Sequence, residues 1–282
     1  MKPLLTCAVP EYLHDTNTYE RSGETMVNQI RIKGGVLLGA VVSGALAAGT
    51  LGGAPTANAT CASFFGIGNS AHCTSTLPSI AIAIGNGASA KTTGNFTAVI
   101  AVGNAATATA SGGTFLIAAA LGDTSTATAH AGDFNIATAL GKNSSASASN
   151  GSFNLARVIG HDSSATADTG SGNLAVVIGH DSSATASSGS RNRASVIGNY
   201  GSAEADSGSA NLASVLGSFS SAKANAGSNN RASVIGNYSS ATANAGSHNR
   251  ASVIGKYSSA TAGPGDNYHI SVRGDNAKGQ AP

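Results

Sequence analysis

From residue 87 to residue 276, small and β-branched residues alternate with hydroxyl and amide side chains, and glycine cuts the alternation at fixed intervals. One glycine ladder runs Gly103, Gly122, Gly141, Gly160 and on to Gly274. A second runs Gly94, Gly113, Gly132, Gly151 and on to Gly265, both with a period of nineteen residues. Ten units without insertion or deletion fill this span, the clearest being SSATASSGSRNRASVIGNY at 182–200 and SSATANAGSHNRASVIGKY at 239–257. Each unit holds two extended pieces, SSATA and NRASVI, separated by turns that contain glycine. Alternation with a period of two predicts strands, and glycine supplies turn conformations that other residues resist. Two short strands per coil, stacked at about 4.8 Å, predict an all-β parallel β-solenoid or β-roll about 45–50 Å long. A helical repeat is disfavoured, because nothing recurs at helical spacing and two glycines per unit would interrupt any helix.

The rows that stay constant assign the faces. Ala108, Ala127, Ala146 and their successors to Ala260 form one row, and a second runs from Ala110 to Ala262; both are predicted to point inward. The same holds for Asn135, Asn154, Asn173, Asn192, Asn211, Asn230 and Asn249, whose amides can bond the coils above and below. The opposite parity of the second strand changes along the chain. Early coils present Phe96, Phe115, Phe134 and Phe153, and the row two positions further along the repeat carries Ile117, Ile136, Leu155 and Leu174. Later coils replace them with Arg191 and Arg193, Asn229 and Arg231, then His248 and Arg250, while the row from Leu140 to Ile254 stays apolar. On an exposed face the first four coils would carry an apolar patch of the kind that marks an interface. The alternative is that a bulge beside a turn glycine swaps the two parities. Replacement of Phe by Arg argues against burial, so Phe96, Phe115, Phe134 and Phe153 are candidate interface residues for self-association.

Composition fits a repetitive fold that packs small residues. With 37 Gly, no Trp, 5% aromatic and 10% charged residues the chain cannot build a conventional aromatic-rich core. It is also too apolar (41%) and too weakly charged (+2) for a disordered chain. Residues 26–59 read as an export signal: Arg31 and Lys33, an apolar stretch over 36–54, and Ala57-Asn58-Ala59 before Thr60. A membrane anchor is the competing reading, since the apolar run is close to spanning length, but the expected cut lies between Ala59 and Thr60. Residues 1–25 carry Glu11, Asp15, Glu20 and Glu24 where a signal should be basic, so Met26 is the expected start and 1–25 an over-extended one. The mature chain is then expected to be secreted or at the cell surface. It would comprise a cap at 60–86 closed by a Cys61–Cys73 disulfide, coils at 87–276, a disordered tail at 277–282 and no transmembrane span.

Candidate chemistry is sparse. Serines are repeat positions rather than members of a nucleophile motif, and the glycine turns lack the Lys-Ser/Thr of a phosphate loop, so neither enzyme activity nor a cofactor is expected. His161-Asp162 and His180-Asp181 fall at the same turn of adjacent coils, an arrangement that offers four ligands to a divalent metal. The next coils carry Tyr200, Phe219, Tyr238 and Tyr257 near that turn, either as a contact strip or as a stacked ladder. Arg273-Gly274-Asp275 spells the tripeptide read by integrins. Pairs such as Thr107/Thr109 and Ser183/Thr185 resemble the ice-binding face of β-solenoid antifreeze proteins, although Glu204 and Lys223 interrupt the array. Arg191, Arg193, Arg231 and Arg250 share a face that suits an anionic polymer, while the near-neutral net charge argues against nucleic acid as the main partner.

The strings SIAIAIGNGASAKTTGN at 79–95 and NRASVIGNYSSATANAG at 230–246 resemble head-domain repeats of trimeric autotransporter adhesins, the YadA-like heads. The resemblance covers about two thirds of the chain. It implies a left-handed parallel β-roll, a homotrimer joined through apolar rows, exposure at the cell surface, and binding to host matrix or to other cells. The nineteen-residue unit is longer than the family's usual repeat, and neither a stalk pattern nor a barrel pattern follows it within these 282 residues.

Overall fold

The computed structural model describes residues 60–281. The readings of 1–25 and of the export signal at 26–59, including Ala59, lie outside the described residues. The described residues form an all-β solenoid of about eleven coils, each contributing one strand to a 13-stranded sheet and one to a 12-stranded sheet. From Ile80 onward every pairing within a sheet is parallel. Register advances by one repeat, as in Ile136 opposite Leu155 and Leu155 opposite Leu174. The first step is shorter, because Ile80 pairs with Ala98 and Ser89 with Thr107, eighteen residues apart.

The inward rows follow the predicted parity. Ala146 and Ala148 of the smaller sheet face Ala156 and Val158 of the larger one, and all are buried. The core is only two small side chains thick, so hydrogen bonding carries an unusual share of the cohesion. Each corner asparagine shows how. Asn154 donates its side-chain N–H groups to Ser149 O (3.0 Å) in its own coil and to Gly170 O (2.9 Å) in the next. Its Oδ1 accepts the backbone N–H of Asn173 at 3.0 Å. A serine row bridges the coils at the other corner: the single O–H of Ser163 is shared between His161 O and Gly179 O, and its Oγ accepts the N–H of Ser182. Glycine is required beside these corners because the coils touch there. A Cβ on Gly160 would lie 1.6 Å from the carbonyl oxygen of Gly179, and its φ of +154° is one L side chains rarely adopt.

The two ends are closed differently. Strand β1 (Thr60–Phe64) folds antiparallel to β4 (Ile80–Ile84), and the short β2 (Ile67–Gly68) pairs with β1. Strand β3 (Cys73–Thr74) begins the smaller sheet beside β5 (Ser89–Thr92). The Cys61–Cys73 disulfide, with S–S at 2.03 Å, therefore joins one sheet to the other across the end of the core. At the far end bulk is exchanged between sheets. Ile270 replaces the alanine of the preceding coil while Gly279 replaces the alanine facing it, and a Cβ on Gly279 would press on Ile270 Cγ2 at 2.8 Å. The segment 277–282, expected as a disordered tail, instead contains strand Lys278–Gln280 paired in parallel with Ser259–Ala262, because the last coil needs a second strand to cover its core.

Candidate functional site

With the interior filled by alanine, valine and corner amides, chemistry is left to three outward places: the outer faces of the two sheets and the corners. The outer face of the 13-stranded sheet carries three columns of side chains. The column ending each strand runs Leu140, Ile159, Ile178, Ile197, Leu216, Ile235, Ile254, and then Arg273. The column that begins each strand is Ile117, Ile136, Leu155 and Leu174 in the first half, then Arg193, Leu212, Arg231 and Arg250. Between them Ile82, Ile100, Ala119 and Val176, interrupted by Thr138 and Arg157, give way to serine from Ser195 onward. The first half of this face is therefore apolar and the second half amphipathic.

Phe96, Phe115, Phe134 and Phe153 stand at the corner that leads into this face, outside the strands, and are 45–64% exposed. The parities are thus not swapped at the phenylalanines. Their φ values of 51–61° are left-handed, and the same corner keeps that conformation when it carries Arg191, Asn229 or His248. The chain path sets this conformation rather than the side chain. Stacked coils then align the rings at centroid spacings of 5.0–5.2 Å with interplanar angles of 3–13°. Tyr200, Phe219, Tyr238 and Tyr257 form a second ladder at the opposite corner in the other half, with centroids 4.6–5.0 Å apart. In both ladders each ring covers its neighbour's face, so mainly ring edges are open to a partner.

His161 and His180 stack in the same manner, 5.1 Å apart with planes 7° from parallel. His161 Nδ1 accepts the backbone N–H of Lys142 at 3.1 Å, which leaves Nε2 to carry the proton of the neutral ring. Asp162 Oδ1 accepts a side-chain N–H from Asn143 at 2.9 Å, and Asp181 is exposed at the equivalent corner. Among the described residues no group of three or more His, Cys, Asp or Glu side chains is arranged to hold a metal. The histidines border an open groove of about 530 Å³ whose other wall is Leu140, Ile159 and Ile178 and whose floor is the glycine ladder.

Arg273 ends the last long strand and is exposed, as are Gly274 and Asp275. Asp275 Oδ1 accepts the backbone N–H of Lys256 at 2.8 Å, so the tripeptide lies at a corner with its carboxylate tied to the preceding coil. On the outer face of the 12-stranded sheet the Ser/Thr columns are broken by an ion pair, Lys223 Nζ to Glu204 Oε2 at 3.2 Å, with Asn225 also donating to Glu204. Among the polar contacts that sequence reasoning missed, Ser111 Oγ and His130 Nδ1 lie 2.7 Å apart. The nineteen-residue spacing of 111 and 130 was the available signal, since the repeat places such residues side by side in adjacent coils.

Among the described residues no helix is long and apolar enough to cross a membrane. Comparison of the chain with protein-family models, with curated proteins and with solved structures returned no match.

Proposed function

We propose that this chain is an exported, non-enzymatic structural and interaction protein that self-associates through the outer face of its larger sheet and acts as an adhesin-like β-roll at the cell surface. The observation that carries the reading is the apolar first half of that face, bordered by the exposed phenylalanine ladder. Contiguous apolar surface of this kind is costly to leave in water and is normally covered by a partner. Repetition favours a second copy as that partner, because each apolar column of one solenoid meets an equally spaced column of another. The Cys61–Cys73 bridge supports an oxidising compartment outside the cytosol, and a trimer is the assembly that the resemblance to adhesin heads implies.

The mass of the full chain in solution, by light scattering after size exclusion, tests the reading. A trimer is expected, together with retention on immobilised matrix protein or on cells. A stable monomer would remove the self-association and leave only a shared repeat grammar with the adhesin heads.

A further inference from the structure

The two halves of the solenoid carry opposite charge. Residues 60–185 hold three Lys/Arg against five Asp/Glu, net −2, whereas residues 186–281 hold eight against four, net +4. The four carboxylates of the second half are already engaged. Glu204 pairs with Lys223, and Asp206 accepts from Ser187 Oγ and the Ser207 N–H. Asp266 and Asp275 accept the backbone N–H groups of Ser247 and Lys256. Lys223–Glu204 is the one ion pair among the described residues, so no arginine of this half has a carboxylate partner.

These arginines are aligned. Arg193, Arg231 and Arg250 occupy one outward column of the 13-stranded sheet and are all exposed. Arg231 is directly opposite Arg250, and Leu212 separates Arg231 from Arg193. Like charges on adjacent strands repel, and the fold does not require arginine there, since leucine or isoleucine fills the column elsewhere. The neighbouring column is serine throughout, from Ser195 to Ser252. The result is a line of cations at multiples of about 4.8 Å with a line of hydroxyls beside it.

We propose that this Arg–Ser strip binds a linear acidic polysaccharide, a chain of sulfated or uronate sugars lying along the solenoid axis. A guanidinium matches a sulfate or carboxylate in a fork of two hydrogen bonds. One coil is close to the length of one pyranose unit, so anions along the chain meet Arg250, Arg231 and Arg193 in turn while the serines bond sugar hydroxyls. Single-stranded nucleic acid fits less well, because its sequence-tolerant binding relies on open aromatic faces. The nearby rings from Tyr200 to Tyr257 cover one another. A bilayer presents a plane of charge, and the strip is one residue wide. The strip occupies the second half of the same outer face, beginning at Arg193 opposite Leu174, and its binding of an anionic chain does not depend on self-association through the first half.

The test measures binding of the full chain to heparin and to polygalacturonate, each against neutral dextran, at low and at physiological salt. Binding to either acidic polymer but not to dextran is expected. The triple variant Arg193→Gln, Arg231→Gln, Arg250→Gln should bind at least about tenfold more weakly and lower the salt slope by about two to three. The variant Lys91→Gln, Lys142→Gln, Lys256→Gln removes the same charge elsewhere and should change binding by less than about twofold. Leu212→Arg fills the gap in the column and should tighten binding, an effect that misfolding cannot imitate. The proposal is overturned if neither polymer binds, if the lysine variant loses as much as the arginine variant, or if Leu212→Arg gains nothing. Tighter binding to oligothymidylate or to phosphatidylserine vesicles than to both polysaccharides would also overturn it.

Discussion

The first and second halves of this solenoid share one interior and differ in almost everything they show to solvent. In both, inward alanine rows and a glycine ladder recur, and from Asn135 onward so does the corner asparagine, with Asn154 and Asn230 making the same three kinds of hydrogen bond. Outside, the first half presents isoleucine, leucine and a phenylalanine ladder. The second presents arginine and serine, with its aromatic ladder moved to the opposite corner. Interior positions are held by contact with the coils on either side, so a change at one is felt at three. Exterior positions meet solvent and only their two column neighbours. Function in such a repeat is therefore to be sought where the halves differ, and stability where they agree.

The largest expected effect separates a glycine that faces another coil from Gly274, the last of its ladder, which faces none. Gly160→Ala drives a Cβ into the Gly179 carbonyl and is expected to destabilise by about 3 kcal/mol or more. At Gly274, where nothing lies within 4 Å of an added Cβ and only φ (+108°) is unfavourable, alanine should cost about 1–2 kcal/mol. Equal losses in thermal unfolding would show that backbone conformation, not coil contact, imposes the glycines. Next comes the N-terminal closure. Replacing both Cys61 and Cys73 with serine should cost about 3 kcal/mol, with hydrogen exchange increasing in the first coils before the last. Uniform exchange along the chain would mean that the bridge does not act as a local clasp.

Asn154→Ala and Asn230→Ala probe the shared interior from opposite halves. Each leaves buried carbonyls and an N–H without partners, and each is expected to cost about 2–3 kcal/mol in denaturant unfolding. A clear inequality would break the claim that the two interiors are equivalent. The smallest effect on stability, and the most informative for assembly, belongs to Phe115→Asn with Phe134→Asn. This pair gives the first half the residue that the same corner carries at Asn229. Loss of all three ring stackings of this ladder should cost about 1.5–2 kcal/mol in total, while the solution mass is expected to fall from trimer to monomer. An unchanged mass would place the association elsewhere on the molecule.

Much of this was legible in the chain alone. The nineteen-residue period, the inward parity of the alanine and asparagine rows, the two sheets and the Cys61–Cys73 pair are all present in the residue pattern. Each is a local property, set by alternation along a strand or by a repeat without insertions. The fold alone revealed features that depend on the coil above or below. Leu116 is fully buried at the corner where later coils have asparagine, filling space beside coils whose inward residues are alanine on both sheets. The serine row at the second corner bonds coil to coil as the asparagines do, though its residues read as ordinary strand serines. The phenylalanines were read as strand residues, and their left-handed corner is set by hydrogen bonds between coils such as Phe134 N–H to Thr114 O. Alternation in a sequence reports the side of a strand on which a residue falls. Contact distance, corner conformation and alignment with residues nineteen positions away arise only when the coils stack, and those decide which side chains form ladders and which surfaces remain open.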